Sequence, residues 1–159
     1  MIGYKCFNED LTNRYGAEFK VGKTYHVSGN IKFGNDGNGF HMCKNMEDTL
    51  RYFDAFNGNV RICLVYGFGK SNKYNDEYNG FYDMYSYEYL TILKELTHQE
   101  IINYALNLYE ERVKRFISLY KLSKDEIELF KNKFYDNDNI LKCIKYYQEN
   151  MEDVYKLEK

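Results

Sequence analysis

Two hydrophobic rhythms divide the chain near residue 95. Before it, apolar residues come in short runs or alternate with polar ones, the period of strands. Ile2–Phe7, Phe40–Cys43 and Tyr87–Leu93 read as strands. Val60–Tyr66 is the clearest, because Val60, Ile62 and Leu64 alternate with Arg61, Cys63 and Val65. Glu18–Val21 and Thr24–Val27 flank Gly22-Lys23 and predict a hairpin; Ile31–Phe33 predicts another short strand. Asn45 offers an N-cap for a helix from Met46 to about Phe53, with Glu47 and Asp48 in its first turn and Leu50 and Phe53 facing inward. Gly67 to Tyr85 reads as a polar, aromatic loop.

From Leu96 the period becomes helical. Thr97-His98-Gln99-Glu100 has capping-box spacing, and Ile102, Ala105, Leu106, Tyr109, Val113, Phe116, Ile117 and Tyr120 form one stripe. Ser123-Lys124-Asp125-Glu126 repeats the cap ahead of a shorter helix marked by Ile127, Phe130 and Phe134. After the break at 136–139, Ile140, Ile144, Tyr147, Met151 and Val154 line one side of a third helix. The pattern predicts an α+β protein: a small, curved, mostly antiparallel sheet with one inserted helix, then a three-helix C-terminal region. Residues 1–95 would be a glycine-rich, β-dominated core and residues 96–159 a helical region packed on it as one compact unit. All 11 glycines lie at or before Gly80, which makes the first part the turn-rich one.

Composition narrows the classes. The hydrophobic share is 44%, but 18 Tyr contribute to it, so the core is leaner than that figure. Lys plus Arg is 22 against 24 Asp plus Glu, and both parts carry nearly the same balance. That argues against gripping duplex nucleic acid, which needs a basic face. There is no apolar run of membrane-spanning length, and Met1-Ile2-Gly3-Tyr4-Lys5 lacks the apolar stretch of a secretion signal. Cys6, Cys43, Cys63 and Cys143 are widely spaced, which fits reduced thiols in a cytoplasmic protein.

Gly39-Phe40-His41-Met42-Cys43 joins a charge-switching side chain, a thiol and a tight turn. On a strand His41 and Cys43 share a face. His41 either points into a cleft and meets a ligand or is a half-buried strand residue bonded to a carbonyl. A zinc site from His26, His41, Cys43 and Cys63 has no short spacing behind it, so no metal is expected. Gly67-Phe68-Gly69-Lys70-Ser71 ends like a phosphate loop, but Leu64 stands where the first glycine belongs. Tyr74, Tyr78, Tyr82 and Tyr85, with Phe81, Tyr87 and Tyr89, crowd one segment. Tyrosine gives contact area at low entropy cost, while Asp76, Glu77, Asp83 and Glu88 among them would repel phosphates. The segment therefore reads as a protein-partner surface, a lid over a site, or rings covering a sheet edge. Glu88 and Glu95, near the end of the last strand, either orient a hydroxyl or a water or are solvated charges.

Gly3-Tyr4-Lys5-x-Phe7, Val21-Gly22-Lys23-Thr24-Tyr25, Gly29-x-Ile31 and Gly39-Phe40-His41-x-Cys43-x-Asn45 together resemble an uncharacterised domain family of bacteria and their phages, over residues 3–66. More distantly, the glycine turn, the Gly-Phe-His strand and the helix after it are similar to ADP-ribosyltransferase-like proteins. That likeness implies a split β core with a cleft for NAD. It implies that Lys5, Phe40 and His41 bind the cofactor and that Glu95, or Glu88, with His41 serves catalysis. Lys5 stands where the likeness implies Arg or His, and Lys lacks Arg's planar fork. The expected function is thus an ADP-ribosyltransferase-like domain that binds NAD and modifies a target, in an active or a degenerate form. The alternative is a non-enzymatic, anti-CRISPR-like phage or mobile-element protein that blocks a host defence protein through its tyrosine-rich loop. Neither expectation includes duplex nucleic acid or a membrane among the partners.

Overall fold

The computed structural model describes residues 1–34, 37–56 and 59–157, excepting the side chains of 153–155 and 157. The chain divides into two compact units, Met1–Leu96 and Thr97–Lys159. Among its described residues the first holds five antiparallel strands: β1 (Ile2–Asn8), β2 (Thr24–His26), β3 (Phe40–Cys43), β4 (Val60–Asp76) and β5 (Phe81–Glu95). Their order is β2-β5-β3-β1-β4, and β4 also pairs with β5. That extra pairing closes β5, β3, β1 and β4 into a ring. The ring needs long, bent strands, and the β4–β5 ladder bends through register shifts at Leu64/Val65, Phe68/Ser71 and Tyr74/Asp76. Phe7, Phe19, Met42, Cys63, Val65, Leu90 and Ile92 form the core against it. Burying each of the larger side chains contributes roughly 1.5–3 kcal/mol.

Two glycines set how closely the strands approach. A Cβ on Gly3 would stand 2.5 Å from Met42 Cε and 2.6 Å from the Cys43 carbonyl oxygen, so β1 meets β3 closely at this point because residue 3 has no side chain. Gly39 has φ +124°, and a Cβ there would lie 2.0 Å from Ser86 Oγ. Left-handed backbone and contact with β5 both demand glycine immediately before β3.

Several expected elements take another form. The Gly22 turn is present, with Lys23 N–H donating to the Lys20 carbonyl, but no ladder joins 18–21 to 24–27. Thr24–His26 pairs with β5 instead, where Thr24 meets Thr91 through their hydroxyls at 2.7 Å and His26 stacks on Tyr89 at 4.4 Å. Cross-strand fit overrides the local hairpin signal. Residues 31–33 form no strand, and their β pairing is the isolated bridge Ile31↔Asn38. The inserted helix is a 3₁₀ helix, Met46–Tyr52; Leu50 is buried, Phe53 is half-buried, and Asn45 makes no side-chain cap.

The expected loop from Gly67 to Tyr85 is instead the far end of the β4–β5 hairpin. It turns through a short 3₁₀ helix, Glu77–Asn79, and Gly80 in left-handed conformation. Asparagines of this segment act as cross-links: Asn72 Oδ1 accepts from Phe33 N–H, and Asn75 Oδ1 accepts from Asp83 N–H. Arg51 fastens the 3₁₀ helix to this end by pairing with Asp76 at 2.5 Å and lying 4.6 Å over the Phe81 ring.

Among its described residues the second unit has four helices where three were expected: α1 (His98–Leu106), α2 (Glu110–Leu119), α3 (Lys124–Lys133) and α4 (Asp138–Leu157). The predicted first helix breaks because Asn107 caps α1 and Tyr109, 67% exposed, precedes α2 instead of joining the stripe. Both capping boxes form as spaced, on Thr97 with Glu100 and on Ser123 with Glu126. Ala105, Val113, Phe116, Ile117, Ile127, Phe130, Ile140 and Ile144 are buried. The side chain of Val154 lies outside the described residues.

Gly39→Ala should destabilise the first unit by about 2 kcal/mol or more, since it adds backbone strain and a clash with β5. Thermal unfolding followed by circular dichroism checks this; an unchanged midpoint would show that the Gly39 turn relaxes freely.

Candidate ligand-binding cleft

The site begins where two strands part. β1 and β3 are in register at Tyr4 opposite Cys43. Beyond that pair, Lys5 Nζ donates to the His41 carbonyl oxygen at 2.6 Å, so a side chain spans the gap in place of a backbone ladder. A cleft of about 350 Å³ opens here. Lys5 and Cys6 from β1, Phe40 and His41 from β3, Phe33 from the preceding turn and Tyr52 from the 3₁₀ helix line it. Asn13, Arg14 and Tyr15 complete it from the loop after β1.

That loop is held by its own short side chains. Asn8 Nδ2 donates to Thr12 Oγ1 and to the Asn13 carbonyl, and Asn13 Oδ1 accepts from Tyr15 and Ala17 N–H at 3.0 and 2.9 Å. Leu11, buried, takes φ 62° at its base. Arg14 is exposed at the rim, with its guanidinium 5.5 Å over the Tyr15 ring.

One wall is a stack of three rings. Phe33 lies between His41, centroids 4.2 Å apart, and Tyr74, 5.0 Å apart. The bond from Phe33 N–H to Asn72 fixes the middle ring against β4. His41 Nε2 accepts from Gly34 N–H at 3.4 Å. Burial, then the positive charges of Lys5 and Arg14, lower the His41 pKa to about 4, so the ring is neutral near pH 7. Burial likewise lowers Lys5 to about 8, against an opposing pull from Cys43 and Cys6. Cys6, Cys43 and Cys63 are each pushed up to about 12, chiefly by burial. They are protonated thiols and not nucleophiles.

Of the residues singled out in the sequence, Lys5, Phe40 and His41 meet in the cleft. Glu95 does not line it. Pairing registers Lys5 with Cys63 and Cys63 with Glu95, so Glu95 stands two strands away from Lys5, about 10 Å at ordinary strand spacing. There Arg61 holds it through two bonds, at 2.5 and 3.0 Å, and keeps its carboxyl below the usual range. Glu88 is engaged by His26 at 3.4 Å and by Lys70 N–H at 3.1 Å. Tyr74 belongs to the ring stack and Tyr85 is half-buried on β5, while Tyr78 is 97% and Tyr82 41% exposed at the hairpin end. The Gly67–Ser71 run is strand, inside β4. Among the described residues no three His, Cys, Asp or Glu side chains gather as a metal site requires.

Sequence reasoning missed Phe33, Tyr52, Arg14 and Asn13. Phe33 carries a faint signal, an aromatic residue directly before the glycine turn. Arg14 carries none, since an isolated Arg in a polar turn reads as a solvated charge.

The model of one protein family, "Domain of unknown function (DUF7666)", matches residues 1–104. The chain belongs to this family. The match takes in all five strands, the whole cleft lining and most of α1, well beyond residues 3–66. No curated protein matches the chain. Among the described residues no helix is long and apolar enough to cross a membrane.

His41 makes folding pH-dependent with a defined sign. Its folded pKa is about 4 against 6.5 unfolded, so the unfolded chain binds the extra proton between those values. The stability that comes from a neutral His41 is complete above 6.5 and drains away as pH falls toward 4. Urea unfolding of the wild type and His41→Gln at about pH 7 and about pH 4.5 should show their stability difference moving against the wild type by on the order of 2 kcal/mol. A constant difference would mean that the ring is already solvated.

Proposed function

We propose that the cleft binds a small, planar, anionic ligand of the nucleotide class, with NAD as the first candidate. The observation that carries this reading is the pairing of aromatic surface with positive charge in one cavity. Neutral His41 and Phe40 offer faces for a base or a nicotinamide ring. Lys5 inside and Arg14 at the rim offer charge for phosphate. A cavity of about 350 Å³ suits one nucleotide-sized group, and the remainder of a dinucleotide would extend past Arg14. ADP-ribosyl transfer is the enzymatic form of the proposal. It asks Glu95 to leave Arg61 and approach the sugar, so binding and transfer are separate claims with separate tests.

A second reading is favoured by the hairpin end, where Tyr78 and Tyr82 stand exposed beside Asp76 and Glu77. On this reading the protein acts by binding a protein partner, as a blocker of a host defence protein would.

Calorimetric titration with NAD, ADP and AMP should show saturable binding that Arg14→Gln weakens about tenfold, the loss of one charge-assisted bond. No heat from any of them would remove the nucleotide reading. With labelled NAD and lysate, transfer that disappears in Glu95→Gln would support the enzyme; transfer unaffected by that change would exclude Glu95 from it. For the hairpin, replacing Tyr78 and Tyr82 by Ala should weaken capture of a defined partner more than tenfold. Unaltered capture would count against that surface.

A further inference from the structure

We propose that Lys5 is a nucleophilic amine that condenses with the carbonyl of an aldehyde-bearing ligand in the cleft, forming an imine. The proposal takes its location from the cleft described above and otherwise stands on the surroundings of the amine. Lys5 Nζ is set at the parting of β1 and β3, and Lys5 lines the cavity there. Its hydrogen-bond partner is the neutral His41 carbonyl and not a carboxylate. A lysine held by an acid keeps its proton; one held by a carbonyl in partly dry surroundings gives it up more readily.

The ionisable groups around Lys5 pull in both directions. On its own strand is Cys6 and across the gap is Cys43, both thiols pushed up to about 12; their pull on Lys5 is upward and weaker than burial. His41 is neutral, and Arg14 adds positive charge beyond it. Behind Cys43 stand Asp48 and Glu47, which raise that thiol. Desolvation prevails, and the amine titrates near 8. A substantial share is therefore unprotonated in mildly alkaline solution, as in other lysines activated by desolvation.

The step balances without any added oxidant or reductant. The Nζ lone pair attacks the aldehyde carbon and a C–N bond forms. The carbonyl oxygen takes up two protons, both originally on the amine, and leaves as water. The product is a C=N bond between Lys5 and the ligand. Phe40 and His41 would flank a planar aldehyde, and Arg14 would meet its anionic group, so an aromatic aldehyde bearing a phosphate is the class that fits best.

The test uses the full chain with two probes, pyridoxal 5′-phosphate and the small neutral aldehyde propanal, each trapped with cyanoborohydride at about pH 8 and mapped by peptide mass spectrometry. Lys5 should carry at least tenfold more adduct than exposed Lys70 or Lys94 with both probes, and Lys5→Arg should lose that adduct while the other lysines label as before. Labelling of the unaltered chain decides the matter even if the variant fails to fold. Adducts spread over surface lysines without enrichment at Lys5 would overturn the proposal. Preference for Lys5 with propanal alone would uphold the amine's reactivity and count against an anionic ligand. Nucleotide binding by calorimetry with no Lys5 adduct from either aldehyde would overturn this inference and leave the nucleotide reading in place.

Discussion

The close approach of β1 and β3 at one point governs the first unit. Gly3 lets the two strands touch beside Tyr4 and Cys43, and the ring of strands is closed on the other side by β4 and β5. A ring closed by long bent strands has slack that two short ones cannot fill, so β1 and β3 separate past their single pairing point. The Lys5 amine occupies the gap. The cleft is thus a by-product of closure, and its floor is a charged group in a half-dry place because no backbone ladder was available there.

The chemistry of the cleft follows from which groups lose their charge on burial. His41 and the thiols are held neutral, and Lys5 is brought down to about 8, where mildly alkaline solution can discharge it. Arg14 at the rim remains the fixed cation. Glu95, by contrast, is kept ionised by the Arg61 fork in the row that also holds Lys5 and Cys63. The family match covers this whole arrangement, so the cleft lies within the shared domain.

Local signals were legible where local physics decides. The capping boxes on Thr97 and Ser123, the turn at Gly22 and the strand Phe40–Cys43 were all readable from spacing. Lys5, Phe40 and His41 were readable as site candidates through a resemblance, and they share a cavity. What escaped was non-local. Thr24–His26 chose β5 over its neighbour in sequence, a preference set by cross-strand partners 63 to 67 residues away. Asn72 and Asn75 looked like loop residues because their composition is that of loops. The bond from Asn72 to Phe33 is long-range and that from Asn75 to Asp83 crosses the hairpin, and neither leaves a periodic trace. Phe33 and Arg14 joined the site for the same reason.

Strand β2 ends the order of the sheet and is three residues long. An outer strand of that length offers a stray chain too few free amides and carbonyls to template growth. A longer flank of this tyrosine-rich sheet would present more unpaired backbone to another chain.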